Sequence, residues 1–238
     1  MLLRLLPLLI LFASCERPAE LPRPVSDSIA IGLVAHYALD GSPRDLTGNN
    51  PDLVVANATV KASDRPNAAN ENAMYFTGRS NSYAGMDLSS SVLSVNGAIS
   101  FAFWAKETGQ GTFSPRVFEM YQGDFGPGFY WFNWYQGDIK FAGNGFEVPG
   151  LAKYNRNTWY HFAMTHDVNS IQLFVNGNRV YKMNILGATS PAAIRLAKYG
   201  EIGRLAQRPA DAFEGAVRDF RIYNRVLSQN EVNYLSTR

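Results

Sequence analysis

The chain is expected to fold as an all-β, antiparallel two-sheet sandwich with one short C-terminal helix, and three observations lead there. From residue 29 onward apolar residues recur at every second position, the spacing that puts alternate side chains on one face of a strand. Gly and Asn interrupt these runs every several residues, as turns between short strands require. Only one segment, near the C-terminus, carries a helix start signal. At 238 residues, with 46% hydrophobic and 18% charged side chains, the composition excludes a disordered chain or a coiled coil. A single core at this length removes roughly 70–75% of the unfolded surface from water, so no staples are needed.

The first element is an address. Residues 1–15 read MLLRLLPLLILFASC, one cation and then an apolar stretch, far short of the ~20 residues that span a bilayer. Cutting before Cys15 puts bulky Phe12 at −3, which disfavours an ordinary signal peptidase. Phe12-Ala13-Ser14-Cys15 instead resembles the lipobox of bacterial lipoproteins, with Phe where Leu is usual. That resemblance implies cleavage after residue 14, diacylation of Cys15 on sulfur, and a membrane-anchored protein in the periplasm or at the cell surface. The Pro-rich stretch that follows reads as a tether, so the expected layout is signal peptide 1–14, lipidated Cys15 and tether 15–28, and one domain 29–238.

Within the domain the clearest strands are 99–106, 129–135, 159–166 and 216–223. Residues 170–181 form the best hairpin, because Asn176-Gly177 suits the two positive-φ positions of a type I′ turn. Ser228-Gln229-Asn230-Glu231 is a capping box, with Val232 and Leu235 on one face of the helix it starts. No internal repeat or second domain is visible.

Several chemistries are excluded by counting. A single cysteine rules out an intrachain disulfide, and three histidines offer little to a metal site. Lys plus Arg is 22 against 20 for Asp plus Glu, with no basic block, so nucleic acid is not an expected partner.

Gly32-Leu33-Val34-Ala35-His36-Tyr37, Asp45-Leu46-Thr47-Gly48-Asn49-Asn50 and Met74-Tyr75-Phe76-Thr77-Gly78 open a series of blocks, continued by SFAFWA from Ser100, Thr158-Trp159-Tyr160-His161, LFVNG from Leu173, and FEGAVRDFRIYNRVLS from Phe213. In this order they look like a LamG-like domain (laminin G type 3) of the concanavalin A-like lectin/glucanase superfamily. The resemblance implies a jelly roll of two curved sheets, frequently a structural calcium, and often a sugar-binding role. Fold alone does not settle function.

The loop 40–52, DGSPRDLTGNNPD, concentrates oxygen ligands of the kind calcium takes. Matching it to the family implies Asp45, Asn50 and Asp219 as ligands, with Asp40 a weaker possibility. The alternative is that Asp45 and Asp40 cap turns. Residues 129–135 hold six aromatics around Asn133. Alternation puts Trp131, Asn133 and Tyr135 on one side, a sugar platform if that side faces solvent and core if it does not. Tyr121, Gln122 and Asp124 could add polar contacts. Trp104 and Trp159 read as core, and His161 and His166, five apart, face opposite sides.

The family's glucanases carry a Glu-x-Asp-x-x-Glu strand motif, absent here; nor is there a nucleophile elbow or a phosphate loop. Glu119, near Asp124, is the nearest approach to a catalytic acid. The expected function is therefore non-catalytic glycan binding by a lipoprotein. A structural or adhesive module that binds a cell-surface protein is the alternative, and a glycan-active enzyme the third reading.

Overall fold

The computed structural model describes residues 24–66, 71–88, 97–109, 114–122, 129–143, 145–151, 153–186, 197–205 and 211–238. The signal segment, Cys15 and Asp124 lie outside them. The chain opens with a helical turn, α1 (Val25–Ser28), followed by β1 (Leu33–Tyr37), β2 (Val54–Ala56), β3 (Thr59–Ala62), β4 (Asn72–Thr77) and β5 (Tyr83–Asp87). The middle of the chain holds β6 (Ala98–Glu107), β7 (Arg116–Tyr121), β8 (Tyr130–Tyr135), β9 (Asp138–Gly143) and β10 (Phe146–Leu151). Then come β11 (Tyr160–Asp167), β12 (Ser170–Val175), β13 (Asn178–Asn184), β14 (Tyr199–Ile202), β15 (Glu214–Tyr223) and α2 (Gln229–Leu235). No helix among the described residues is long and apolar enough to cross a membrane.

The strands make two antiparallel sheets, the jelly-roll sandwich expected. The first runs β13-β12-β11-β6-β15-β4-β3 with β1 also on β15, and the second runs β10-β9-β8-β7-β14-β5-β2. Period-two alternation decides what lies between them. Phe101 and Phe103 of β6 meet Phe118 of β7 and Phe132 of β8 at ring-centroid distances of 5.1–5.6 Å, tilted or edge-on as aromatic quadrupoles prefer. Tyr130 and Trp134 complete this core, while Trp131 stays out of it.

The local signals read from the sequence hold. Asn176 and Gly177 have φ of 48° and 83°, and β12 and β13 flank them. Ser228 and Glu231 form the reciprocal capping box of α2. The helix lays Val232 and Leu235 against Ala102, Ala163, Phe174 and Tyr223, covering part of the first sheet's outer face. Residues 25–28, read as tether, instead form α1, tied down where Arg225 Nη2 donates to the Ser28 carbonyl at 2.8 Å.

At Asp219 β15 changes partner. Residues Glu214 to Val217 pair with β4 and Phe220 to Tyr223 with β1, and between them Asp219 takes a φ of 54° in an interruption of the β6 register. Asp tolerates that left-handed backbone better than most residues.

Candidate functional site

The outer face of the second sheet carries a groove of about 420 Å³ lined by Ser114, Arg116, Trp131, Asn133, Tyr135, Asp138, Lys140 and Glu147. On β8 the fully buried Tyr130, Phe132 and Trp134 point to the core, so alternation turns Trp131, Asn133 and Tyr135 outward. A register shift between Arg116 and Phe118 on β7 sends Val117 and Phe118 both inward and leaves Arg116 beside Asn133. The tight turn at Gln136-Gly137, with φ of 51° and 85°, brings Asp138 opposite Tyr135 and Lys140 opposite Asn133.

Within the groove the Arg116 guanidinium lies 3.9 Å from the centre of the Trp131 ring, close enough for a cation–π contact. Trp131 thus faces outward yet is only 8% exposed. The guanidinium covers one face of this indole, while the Tyr135 ring is half-buried. Asn133 Nδ2 donates to Ser114 Oγ at 2.9 Å, which fixes its amide. Lys140 pairs with Glu147 at 3.6 Å. Two cations, two carboxylates, an amide and a hydroxyl around aromatic rings suit a ligand rich in hydroxyls.

Glu119 lies directly across from Trp131 and is 1% exposed. Burial pushes its carboxyl up to about 8, against the pull of Arg116 and with the help of Glu201 and Asp211. It is a buried, proton-retaining support of the groove floor, absent from the groove lining.

Three predicted site residues, Trp131, Asn133 and Tyr135, come together as expected. Tyr121 does not join them: it lies in a separate hollow of about 210 Å³ with Tyr83, Tyr199 and Glu201, its ring 5.8 Å from that of Tyr199. Ser114, Arg116, Asp138, Lys140 and Glu147 were not singled out, because Arg116, Asp138, Lys140 and Glu147 come from three other strands and Ser114 lies just before β7. Asp138 and Lys140 were recoverable from the Gln136-Gly137 turn, which fixes their register against Tyr135 and Asn133. Trp104 and Trp159 are buried, but outside the inter-sheet core. His161 and His166 face opposite sides of β11 as read.

The loop 40–52 was offered for calcium, and its donors do not fit that role. The Asp45 carboxylate accepts six hydrogen bonds, from the backbone N–H groups of His36, Thr47, Asn49 and Asn50 and from the Thr47 hydroxyl and Asn50 amide. Burial opposes ionisation, but these donors outweigh it and hold Asp45 below the usual carboxylate range. Asp219 accepts from His36 Nε2 at 2.6 Å and pairs with Arg221 at 2.9 Å. There too burial is outweighed, by His36 and Arg221, and the carboxyl sits well below its ordinary value. Only Asn50 Oδ1 remains a buried acceptor without a partner, and Asp40 caps its turn through Ser42 N–H. Among the described residues no group of three His, Cys, Asp or Glu is placed to hold a metal. Both carboxylates brace β1 at His36.

Solved structures share this architecture at low identity. Domain 4 of AbnA, a GH43 extracellular arabinanase from Geobacillus stearothermophilus, in complex with arabinotriose, matches at a TM-score of 0.65 and 19% identity, over 86% of this chain and 98% of that one. The binding domain of Paraclostridial Mosquitocidal Protein 1 matches at 0.68 and 16%, over 90% of this chain and 52% of that one. The botulinum neurotoxin serotype D ligand binding domain, in complex with N-acetylneuraminic acid, matches at 0.67 and 16%, with the same coverage. The chain therefore spans about half the length of these two toxin chains, and the likenesses establish the fold. Among curated proteins none matches significantly. The Laminin_G_3 model, described as concanavalin A-like lectin/glucanases superfamily, matches residues 54–233, three quarters of the sequence, and the chain belongs to that family.

Proposed function

We propose that the protein is a non-catalytic glycan-binding module whose ligand lies in the groove of Trp131, Asn133 and Tyr135. The observation that carries this reading is the outward turn of those three residues beside Arg116, Asp138, Lys140 and Glu147. Flat rings pack on pyranose C–H faces, and the flanking amide and charged groups hydrogen-bond hydroxyls. Two of the structural relatives were solved with a saccharide, arabinotriose in one and N-acetylneuraminic acid in the other, which favours the glycan reading over an adhesive module. Binding without catalysis is favoured because Glu119 is sealed under the surface and Glu147 is paired with Lys140. The lipobox-like Cys15 supports an anchored protein that displays this groove from a membrane.

Affinity electrophoresis through gels containing a panel of polysaccharides tests the reading. Retardation by one polysaccharide class is expected, lost in the pair Trp131→Ala, Tyr135→Ala. Equal retardation of that pair and the parent overturns the groove. Reducing-sugar release from the retarding polysaccharide would instead make the protein an enzyme.

A further inference from the structure

We infer that the outer face of the second sheet holds a second subsite, a hollow in which one uncharged sugar ring lies on Gly85 between tyrosine rings, so that a polysaccharide chain is gripped at two places. The inference rests on the glycan reading of the groove at Trp131. Ala84 and Met86 of β5, Met120 of β7 and Ile202 of β14 enter the core. Alternation therefore turns Tyr83, Gly85, Asp87, Tyr121, Tyr199 and Glu201 to the same outer face as Trp131. These residues line a hollow of about 210 Å³, room for one sugar ring rather than a long chain.

The surfaces offered are open to a ligand. Tyr199 is 49% exposed, Tyr83, Gly85 and Tyr121 are partly exposed, and the rings of Tyr121 and Tyr199 stand 5.8 Å apart, tilted by 39°. Gly85 forms the floor. A glycine inside a strand weakens it, and often marks a bulge or the close approach of another group. Neither backbone nor packing accounts for this one. Its φ lies outside the left-handed region, and it stays in register with Glu201 and Val54. A Cβ here would meet nothing nearer than the Tyr83 ring at 3.5 Å and the Val54 carbonyl at 3.7 Å, both ordinary contacts. Gly200, by contrast, turns inward, where a Cβ would lie 2.6 Å from Met86 Cε. Gly85 thus leaves bare a stretch of sheet surface, walled by tyrosines, on which a flat ring can lie.

Charge and hydrogen-bonding groups set the class of ligand. The Arg204 guanidinium closes on Glu201 through two bonds of 2.8 Å and lies 3.4 Å from the centre of the Tyr83 ring. That pair is neutral as a whole, and the exposed Asp87 disfavours an anion. Phenol hydroxyls and carboxylate oxygens suit sugar hydroxyls, and the rings suit sugar C–H faces. Only β7 separates β14 from β8, with Glu119 in register between Glu201 and Trp131. Two strand spacings, ~10 Å, therefore divide Glu201 from Trp131 across the sheet, a span that a short run of linked sugars covers. Two contacts on one chain reinforce each other, since the second becomes intramolecular.

The test runs the full chain in detergent through gels containing arabinan, laminarin, xylan or galactomannan, with polygalacturonate as the charged control. Tyr199→Ala removes a wall of the hollow, and Gly85→Val fills its floor without removing a contact. In the uncharged gel that retards the parent, each variant is expected to need at least about tenfold more polysaccharide for the same retardation, with an unchanged melting temperature. If Gly85→Val does not fold, Tyr199→Ala, at an exposed ring, reads the same loss. Retardation unchanged in both variants overturns the second subsite; if it is still lost in the pair Trp131→Ala, Tyr135→Ala, the groove stands without it. No retardation of the parent in any of the five gels overturns both readings. Retardation by polygalacturonate alone overturns the uncharged sugar and this inference with it.

Discussion

Tyr130 Oη and His166 Nδ1 meet at 2.7 Å between the two sheets, a polar contact inside an aromatic core. His166 is fully buried, and burial lowers its pKa to about 4; His161 is driven to about 3, chiefly by burial. Both bind protons more readily when unfolded, near pH 6.5, so stability falls as pH drops below about 6.5. Each contributes a loss of about 1.4 kcal/mol per pH unit. Urea denaturation between pH 7 and 4.5 measures the slope. Tyr130→Phe removes this contact to His166 Nδ1 and is expected to cost about 1–3 kcal/mol.

Glu119 titrates in the opposite sense. Its folded pKa of about 8 lies above the unfolded value near 4.5, so its contribution is complete below 4.5 and is lost as pH rises through 8. Glu119→Gln is expected to flatten the decline from pH 6.5 to 8, about 1.4 kcal/mol per unit in the parent, and to steepen the acid limb where Glu119 offsets one histidine. An unchanged profile would place Glu119 in contact with water.

Calcium and chelator are expected to leave the melting temperature alike, because the Asp45 carboxylate already accepts six hydrogen bonds and Asp219 is paired with His36 and Arg221. A rise of several degrees with calcium, absent in chelator, would contradict that assignment.

Asp219→Ala removes the acceptor shared by His36 and Arg221, and a destabilisation of about 1.5–3 kcal/mol is expected from the charged hydrogen bonds lost. Asp219→Asn, which keeps an acceptor oxygen, is expected to lose less. Urea midpoints of the two variants separate the cases.

Arg116→Ala uncovers the Trp131 ring and removes a cation–π contact of about 0.5–2 kcal/mol. Weaker retardation by polysaccharide with a small fall in melting temperature is expected. A gain in retardation would mean that the guanidinium blocks the ring.

The strands, the Asn176-Gly177 turn and the capping box were legible because each rests on neighbours in sequence. The outward face of β8 was half legible: alternation grouped Trp131, Asn133 and Tyr135 but gave no way to tell which side faced water. Arg116 over Trp131 was not legible, since it depends on a register shift in another strand. The loop 40–52 is ambiguous in sequence for a physical reason. A carboxylate that gathers six donors and one that gathers a cation have the same composition around them, and only the directions of the N–H groups distinguish the two.

The position of β15 also sets an order on folding. It lies between β6 on one side and β4 with β1 on the other, so three strands that precede it in sequence meet only through it. Contacts this distant in sequence form slowly. Until β15 docks, the first sheet keeps open strand edges, the feature that makes partly folded β proteins prone to pair wrongly.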